Sequence, residues 1–145
     1  SEIHTACMVK QQTKLEELKN ARDKVQESIV GEDNSTAGNK FETARAMGQE
    51  ELDRLNQTMN IAIRELTLLS NISPDKPFDS VQLGALITTD KKMMYLCVGL
   101  GKIEIGKDIV FAISTSSPIG QQLMGAEKGT EVVFGGKKEK IISVA

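Results

Sequence analysis

The second quarter of the chain carries an uninterrupted row of apolar residues at helical spacing. The row steps alternately by three and four residues, through Leu52, Leu55, Met59, Ala62, Leu66 and Leu69. This spacing is the a/d pattern of a coiled coil. Traced backwards it reaches Gly48, Ala44 and Phe41, and a helix from Gly38 to Ser70 would be about 50 Å long. A helix of that length with one apolar row requires a long helical partner.

The partner is predicted in the preceding segment of the same chain. Four apolar residues share one helical face there: Leu15, Leu18, Val25 and Ile29. The segment Gly31–Thr36 interrupts the pattern with glycine, acidic and capping residues, which favour a turn. The sequence therefore predicts an antiparallel helical hairpin in a monomer, with its tip near 31–37. A dimerising coiled coil or spacer is the alternative.

Composition divides the chain into two predicted domains. Residues 1–72 contain no proline and only three of the twelve glycines, whereas residues 73–145 hold all three prolines and the only tyrosine. Turn-forming residues cluster between 70 and 79. We therefore predict a helical hairpin over 1–72 and a smaller domain over 73–145, an α+β protein.

The second domain is predicted to be a small antiparallel sheet with one helix. Its predicted elements are strands at 81–88, 93–98, 109–114, 131–134 and 140–144, an irregular segment at 99–106, and a helix at 118–124. Ser117 is a suitable N-cap, Pro118 suits the first helical position, and Gly125 suits the C′ position. Asp90–Lys92 and Gly135–Gly136 are predicted hairpin turns.

The order of these parts resembles the bacterial transcript-cleavage factors GreA and GreB. The resemblance rests on the Ser-Ser-Pro turn with its short helix, on the strands "KGTEVVF" and "KIISVA", and on the preceding hairpin. The segment 34–47 also resembles the hairpin tip of a Gre-like group of Bacteroidetes. The resemblance implies an FKBP-like second domain. It also implies binding to RNA polymerase, with the hairpin inserted in the secondary channel beside the 3′ end of backtracked RNA.

The predicted catalytic and metal-binding residues are Glu32 and Asp33, adjacent carboxylates at the hairpin tip. Mg²⁺ takes oxygen ligands and needs few protein carboxylates when a partner supplies the others. The resemblance implies that such a tip supports cleavage of backtracked RNA by the polymerase, with no tightly bound cofactor of its own. The sequence departs from the family, because Asn34 and Ala37 stand where the family has acidic residues. Two roles stay open: stimulation of cleavage, or occupancy of the channel as a cleavage-deficient competitor of Gre factors.

Two further groups of residues are candidates for contacts. Lys40 and Arg45 lie near the tip and are predicted to approach RNA phosphates, although a solvated helix surface is the common meaning of such residues. The segment Ser116–Ile119, comprising Ser116, Ser117, Pro118 and Ile119, matches the Gre loop that contacts the rim of the secondary channel. Helix capping alone would also explain it.

Charge and apolar content exclude several other classes. The net charge is −2, with nine basic and twelve acidic residues in 1–72, so the chain has no general footprint for duplex nucleic acid. No apolar run approaches the roughly 20 residues that span a bilayer, and we expect a cytoplasmic protein that does not contact membranes. Cys7 and Cys97 fall in different predicted domains without metal-ligand spacing, and we expect reduced thiols, with Cys97 a small core residue. A prolyl isomerase and a coiled-coil adaptor are the less favoured alternatives.

Overall fold

A computed structural model describes residues 2–33, 39–73 and 76–145, and the side chains of these residues except 30–33 and 39–44. The chain forms two compact units. The hairpin unit comprises residues 11–65, and the sheet unit comprises residues 1–10 together with 66–145. Residues 1–10 and 66–72, which composition groups with the hairpin, therefore make most of their contacts with the sheet unit. The predicted division at 72/73, which follows composition, stays a prediction.

Two long helices confirm the predicted hairpin. Helix α1 spans Glu2–Asp33 and helix α2 spans Asn39–Ser70. They run antiparallel, because Gln11 donates a hydrogen bond to the Ala62 carbonyl (2.9 Å) while Ile29 packs beside Gly48. A Cβ added at Gly48 would lie 2.8 Å from Ile29 Cγ1. The small residue therefore permits the close helix approach that the sequence predicts there.

The apolar row of α2 faces inward, as expected. Leu55, Met59 and Ala62 are buried in the hairpin unit, and Leu69 is buried in the sheet unit. In α1 the predicted apolar face is half-buried between Leu15 and Ile29. The most deeply buried α1 residue of the hairpin unit is a polar one, Gln11, which the pattern did not single out.

The predicted turn begins too early. Residues Gly31–Asp33 form the last turn of α1 instead of a loop. A glycine in a helix costs only about 1 kcal/mol relative to alanine, which is too little to end a helix that packs along its length. Glu32 and Asp33 therefore lie on a helical backbone. Residues 34–38, which complete the predicted tip, lie outside the described residues.

The described residues of the sheet unit form six strands and one short helix, besides the ends of α1 and α2. Together with the hairpin, they confirm the α+β class. The strands are β1 (Leu86–Thr89), β2 (Met93–Cys97), β3 (Gly101–Ile105), β4 (Asp108–Ser114), β5 (Glu131–Phe134) and β6 (Lys137–Val144). Helix α3 (Pro118–Leu123) lies between β4 and β5. The strand order is β3-β4-β2-β1-β6-β5, and only the β2–β4 pair is parallel.

Both predicted hairpin turns are present. Thr89 and Met93 bracket the Asp90–Lys92 turn. Gly135 and Gly136 have φ of 59° and 80°, the pair of positive values that a type I′ turn requires. This turn joins β5 directly to β6.

Two strand predictions are wrong. Residues 81–85 precede β1 without forming a strand, and the segment 99–106 contains β3 where an irregular segment was expected. The glycines around β3 obscured its short alternation, in which Ile103 is buried and its neighbours Lys102 and Glu104 are exposed. Pairing with β4 from Gly101 to Ile105 supplies the order that the local sequence does not.

The sheet has a hydrophobic core on each face. The first core joins sheet residues to the ends of the long helices: Cys7, Leu69, Ile72, Tyr95, Cys97, Val98, Leu100, Ile103, Val110 and Ala112. The second core includes a residue of α3: Val81, Ala85, Ile87, Met94, Leu96, Ile113, Leu123, Val132 and Ile141. Alternate residues of β2 thus serve opposite cores, as strand geometry requires. Burial on both faces fixes the register of the central strand.

Candidate partner-binding loop

The turn before α3 is held by one serine. Ser117 is the N-cap, and its Oγ accepts a hydrogen bond from the Gly120 N–H (3.0 Å). The same hydroxyl donates to the Ser114 carbonyl (2.8 Å). Pro118 occupies the first helical turn, where the missing N–H has no intrahelical partner to lose. These contacts confirm the predicted cap and fix the chain between β4 and α3.

A glycine that the sequence analysis missed allows this turn to close. A Cβ added at Gly120 would lie 2.0 Å from the Ser114 carbonyl oxygen. That atom belongs to the backbone and cannot rotate aside, so any side chain at this position would force β4 and α3 apart. A glycine inside a predicted helix is the signal that could have indicated such a close approach.

The same turn presents polar and apolar surface to solvent. Ser116 and Pro118 are exposed, while Ile119 is half-buried and packs against the second core. Ser116 Oγ lies 3.3 Å from Ser114 Oγ, and its carbonyl accepts a hydrogen bond from Gln121 Nε2 (3.3 Å). We call Ser116–Ile119 the docking loop. Its backbone is fixed by internal hydrogen bonds, so a partner would meet a preformed surface.

The structure gives less information about the other predicted site residues. Glu32 and Asp33 end helix α1, and Lys40 lies in the first turn of α2, but their side chains lie outside those described. Arg45 is exposed on α2. The tip residues belong to the hairpin unit, and the docking loop belongs to the sheet unit. The catalytic, metal-binding and RNA-proximal assignments remain predictions.

The helical backbone constrains how the two carboxylates could act. Successive residues of an α-helix are separated by about 100° around the axis, and neighbours i and i+1 do not face each other. The backbone at Glu32 and Asp33 is helical, and a metal-binding role for their carboxylates stays a prediction. Within the described part of the chain, no group of three histidine, cysteine or carboxylate residues could hold a metal.

A pocket of about 300 Å³ lies in the sheet unit. Its lining includes Leu86, Met93 and Val110, with the carboxylates Glu2 and Asp108, and its one aromatic residue is Tyr95. The Tyr95 hydroxyl lies 3.0 Å from His4 Nδ1. A prolyl isomerase is expected to line its pocket with several aromatic side chains. The pocket offers no support for that alternative.

The comparisons with known proteins leave the family open. No protein-family model matches the sequence, and no curated protein is significantly similar to it. Solved structures that resemble the chain include that of the transcription factor Gfh1, at 14% identity and a TM-score of 0.36, over 94% of this chain and 92% of that chain. A superposition this poor carries no argument about function. None of the described helices is long and apolar enough to cross a membrane.

Proposed function

We propose that this protein is a transcription regulator that binds bacterial RNA polymerase through the docking loop and inserts its hairpin in the secondary channel. One observation carries the proposal. The docking loop is built as a rigid feature, with Ser117 and Gly120 holding it and Ser116 and Pro118 exposed on it. Helix capping alone requires Ser117, but it does not require exposed residues on both sides of the cap.

The hairpin supplies the second part of the proposal. Helix α2 has 32 residues, which corresponds to about 48 Å. Among its described side chains in the hairpin unit, burial is confined to one row, and the other faces are exposed, with polar residues and the apolar Met47, Ile61 and Ile63. Two helices paired in this way bury little core for their length, so the hairpin is long but contributes little to stability. An element of this length can extend into a narrow channel of a large enzyme.

Of the two roles inside the channel, the sequence of the hairpin tip favours the competitor. A cleavage factor would use Glu32 and Asp33 to contribute ligands to a Mg²⁺ ion whose other ligands come from polymerase and RNA. Asn34 and Ala37 offer no carboxylate in their place. Channel occupancy without cleavage needs none of these ligands.

Polymerase binding is tested with exposed residues, which can be changed without disturbing the core. We expect Ser116→Asp and Pro118→Ala to weaken binding to polymerase from the same organism at least about tenfold, or 1.4 kcal/mol. Ser143→Asp, at an exposed serine of β6, is the matched control and should bind as the unchanged protein does. Equal affinities for all four proteins would remove the docking loop from the interface.

Cleavage is tested on polymerase held on a backtracked transcript with Mg²⁺. A competitor slows elongation and releases no 3′ fragment. A cleavage factor releases the fragment, and Glu32→Gln with Asp33→Asn abolishes release while binding persists. Release that survives the double change would move attention to Glu42. A protein that neither binds polymerase nor alters elongation would overturn the proposed function and leave the coiled-coil adaptor.

A further inference from the structure

The two cysteines of the chain meet in the first core of the sheet unit. Cys7 lies in the second turn of α1 and Cys97 ends β2, ninety residues later. Both are free thiols and both are buried, with exposed fractions of 0% and 1%. Both belong to the same buried cluster, and each thiol is the main influence on the pKa of the other, which places them close together. The sequence analysis placed the two cysteines in different domains, whereas by contact both belong to the sheet unit.

Neighbouring contacts hold the two thiols together. His4, Cys7 and Lys10 repeat every three residues along one side of α1, and each reaches the sheet. His4 Nδ1 lies 3.0 Å from the Tyr95 hydroxyl, and Lys10 Nζ donates to the Lys102 carbonyl (3.1 Å). Tyr95 and Cys97 share one face of β2, because side chains two residues apart on a strand point the same way. The cysteine contact therefore lies between two others that fix the helix against the sheet.

The surroundings make the two thiols chemically different. Interaction with Cys97 lowers the pKa of Cys7; burial opposes this change, and the positive charge of Lys10 adds to it. The pKa of Cys97 is raised, first by its hydrogen bond with Cys7 and then by burial. A thiolate is the nucleophile in thiol oxidation. Because the positive charge of Lys10 lies one helical turn from Cys7, the thiolate forms more readily at Cys7, which therefore reacts first.

We propose that Cys7 and Cys97 form a peroxide-oxidisable pair whose disulfide fastens the start of α1 to strand β2. The oxidant is hydrogen peroxide, a molecule scarcely larger than water, which reaches the pair when the helix opens locally. This inference is independent of polymerase binding. It assigns a modification site to a helix segment that also packs on the sheet and makes hydrogen bonds to it through His4 and Lys10.

The reaction has two steps. The Cys7 thiolate attacks one peroxide oxygen, the O–O bond breaks, and Cys7 becomes a sulfenic acid while hydroxide leaves and takes up the thiol proton as water. The Cys97 sulfur then attacks the Cys7 sulfur, and the S–O bond breaks. The departing hydroxide takes the Cys97 proton and leaves as a second water. Two thiols lose two electrons in total, and one peroxide is reduced to two waters.

The test uses the reduced, folded full chain exposed to a small excess of hydrogen peroxide. We expect the intact mass to fall by two hydrogen atoms, and digestion without reductant should yield a peptide that links Cys7 to Cys97. A dithiol reductant should reverse both changes. Because the bond closes a loop of about 90 residues, the oxidised protein should have a Tm higher by about 5–15 °C, independent of protein concentration.

Single variants separate this pair from general thiol damage. Cys7→Ser and Cys97→Ser should each lose the mass change and the rise in Tm. The peptide map of the unchanged protein is decisive even if neither variant folds. Addition of oxygen atoms without coupling would overturn the proposal. Disulfides formed only between molecules, or only after denaturation, would overturn it as well.

Discussion

The sheet unit and the hairpin unit bury their side chains in different ways. The sheet unit has a core on each face and fully buries large residues such as Leu96, Leu123 and Ile141. Among the described side chains of the hairpin unit, the buried apolar residues are Leu55, Met59 and Ala62. Two helices alone can cover only one row of each other, whereas a sheet between two cores is covered on both sides. Stability should therefore reside mainly in the sheet unit, and the hairpin should serve a purpose other than stability.

The two units also differ in how they treat buried polar groups. In the sheet unit, Glu139 is 2% exposed. Its carboxylate accepts a hydrogen bond from Thr89 Oγ1 (2.7 Å) and forms an ion pair with Lys92 Nζ (3.0 Å). Lys92 Nζ also lies 3.5 Å from the centre of the Phe134 ring. In the hairpin unit, Gln11 Nε2 has a partner, but Gln11 Oε1 has none among the described residues. A satisfied network specifies one arrangement, and a half-satisfied one weakens its site.

The largest expected effect compares matched truncations in the two units. We expect Leu96→Ala to lower the free energy of unfolding by about 3–5 kcal/mol, because a fully enclosed cavity remains in the sheet unit. Leu55→Ala should cost about 2 kcal/mol, because a two-helix interface open to water can relax around the gap. Urea unfolding of both variants gives the two values.

The chain offers a separate probe for each unit in that experiment. It contains one tyrosine and no tryptophan, so tyrosine fluorescence reports on the sheet unit, while far-ultraviolet circular dichroism is dominated by α1 and α2. Tyr95 and Leu96 point to opposite faces of β2, so the substitution leaves the fluorophore in its own core. Equal losses for Leu55→Ala and Leu96→Ala, seen identically by both probes, would break the comparison and indicate one cooperative unit.

The next effect concerns the buried ion pair of the sheet unit. Lys92→Met removes the cation and leaves a buried carboxylate with only the Thr89 hydroxyl as partner, which should cost about 3 kcal/mol. Combining it with Glu139→Leu removes both charges and should recover most of that loss. Thermal or urea unfolding measures both steps.

Lys138→Met is the matched control for the ion pair. Lys138 is exposed on β6, next to Glu139, so its replacement should change stability by no more than about 0.5 kcal/mol. A Lys92→Met variant as stable as this control would mean that the pair contributes nothing to the sheet unit.

The smallest effect, of opposite sign, is expected in the hairpin unit. Gln11→Leu loses one hydrogen bond to Ala62, worth about 1 kcal/mol, but buries apolar surface in its place. The Ala62 carbonyl keeps its place in the helix ladder, and the unpartnered Oε1 is removed. We expect a net gain of about 1 kcal/mol in urea unfolding followed by circular dichroism. The exposed neighbour Gln12 gives the control variant Gln12→Leu, which should gain nothing, and a loss at Gln11 would show that its carbonyl oxygen has a partner.

Each region was predictable from the sequence only where its residues form a clear repeat. The hairpin was predictable from Leu52 to Leu69, because a repeat of 3.5 residues admits only a helical seam. The tip was placed too early, because Gly31 was given more weight as a helix breaker than its small cost allows. In the sheet unit, β3 was missed, because five residues among glycines carry too little alternation to stand out.

In the candidate site, too, local features were predictable and features that depend on tertiary contacts were not. The Ser117 cap, Pro118 and the Gly135–Gly136 turn were predictable, because each depends on residues within one turn of the chain. Gly120 was missed, because its constraint comes from the Ser114 carbonyl and not from the helix in which it lies. The roles of Glu32, Asp33, Lys40 and Arg45 stay predictions.

The sequence by itself determined the elements whose signals are periodic or local: two long helices, their antiparallel pairing, the capped helix α3 and the tight turns. Only the tertiary structure decided which faces meet. It placed β4 parallel to β2, buried Gln11 in the hairpin and brought Cys7 to Cys97 across ninety residues. The physical reason is that periodicity specifies which side of an element is apolar, while the choice of partner depends on packing between segments far apart in the chain.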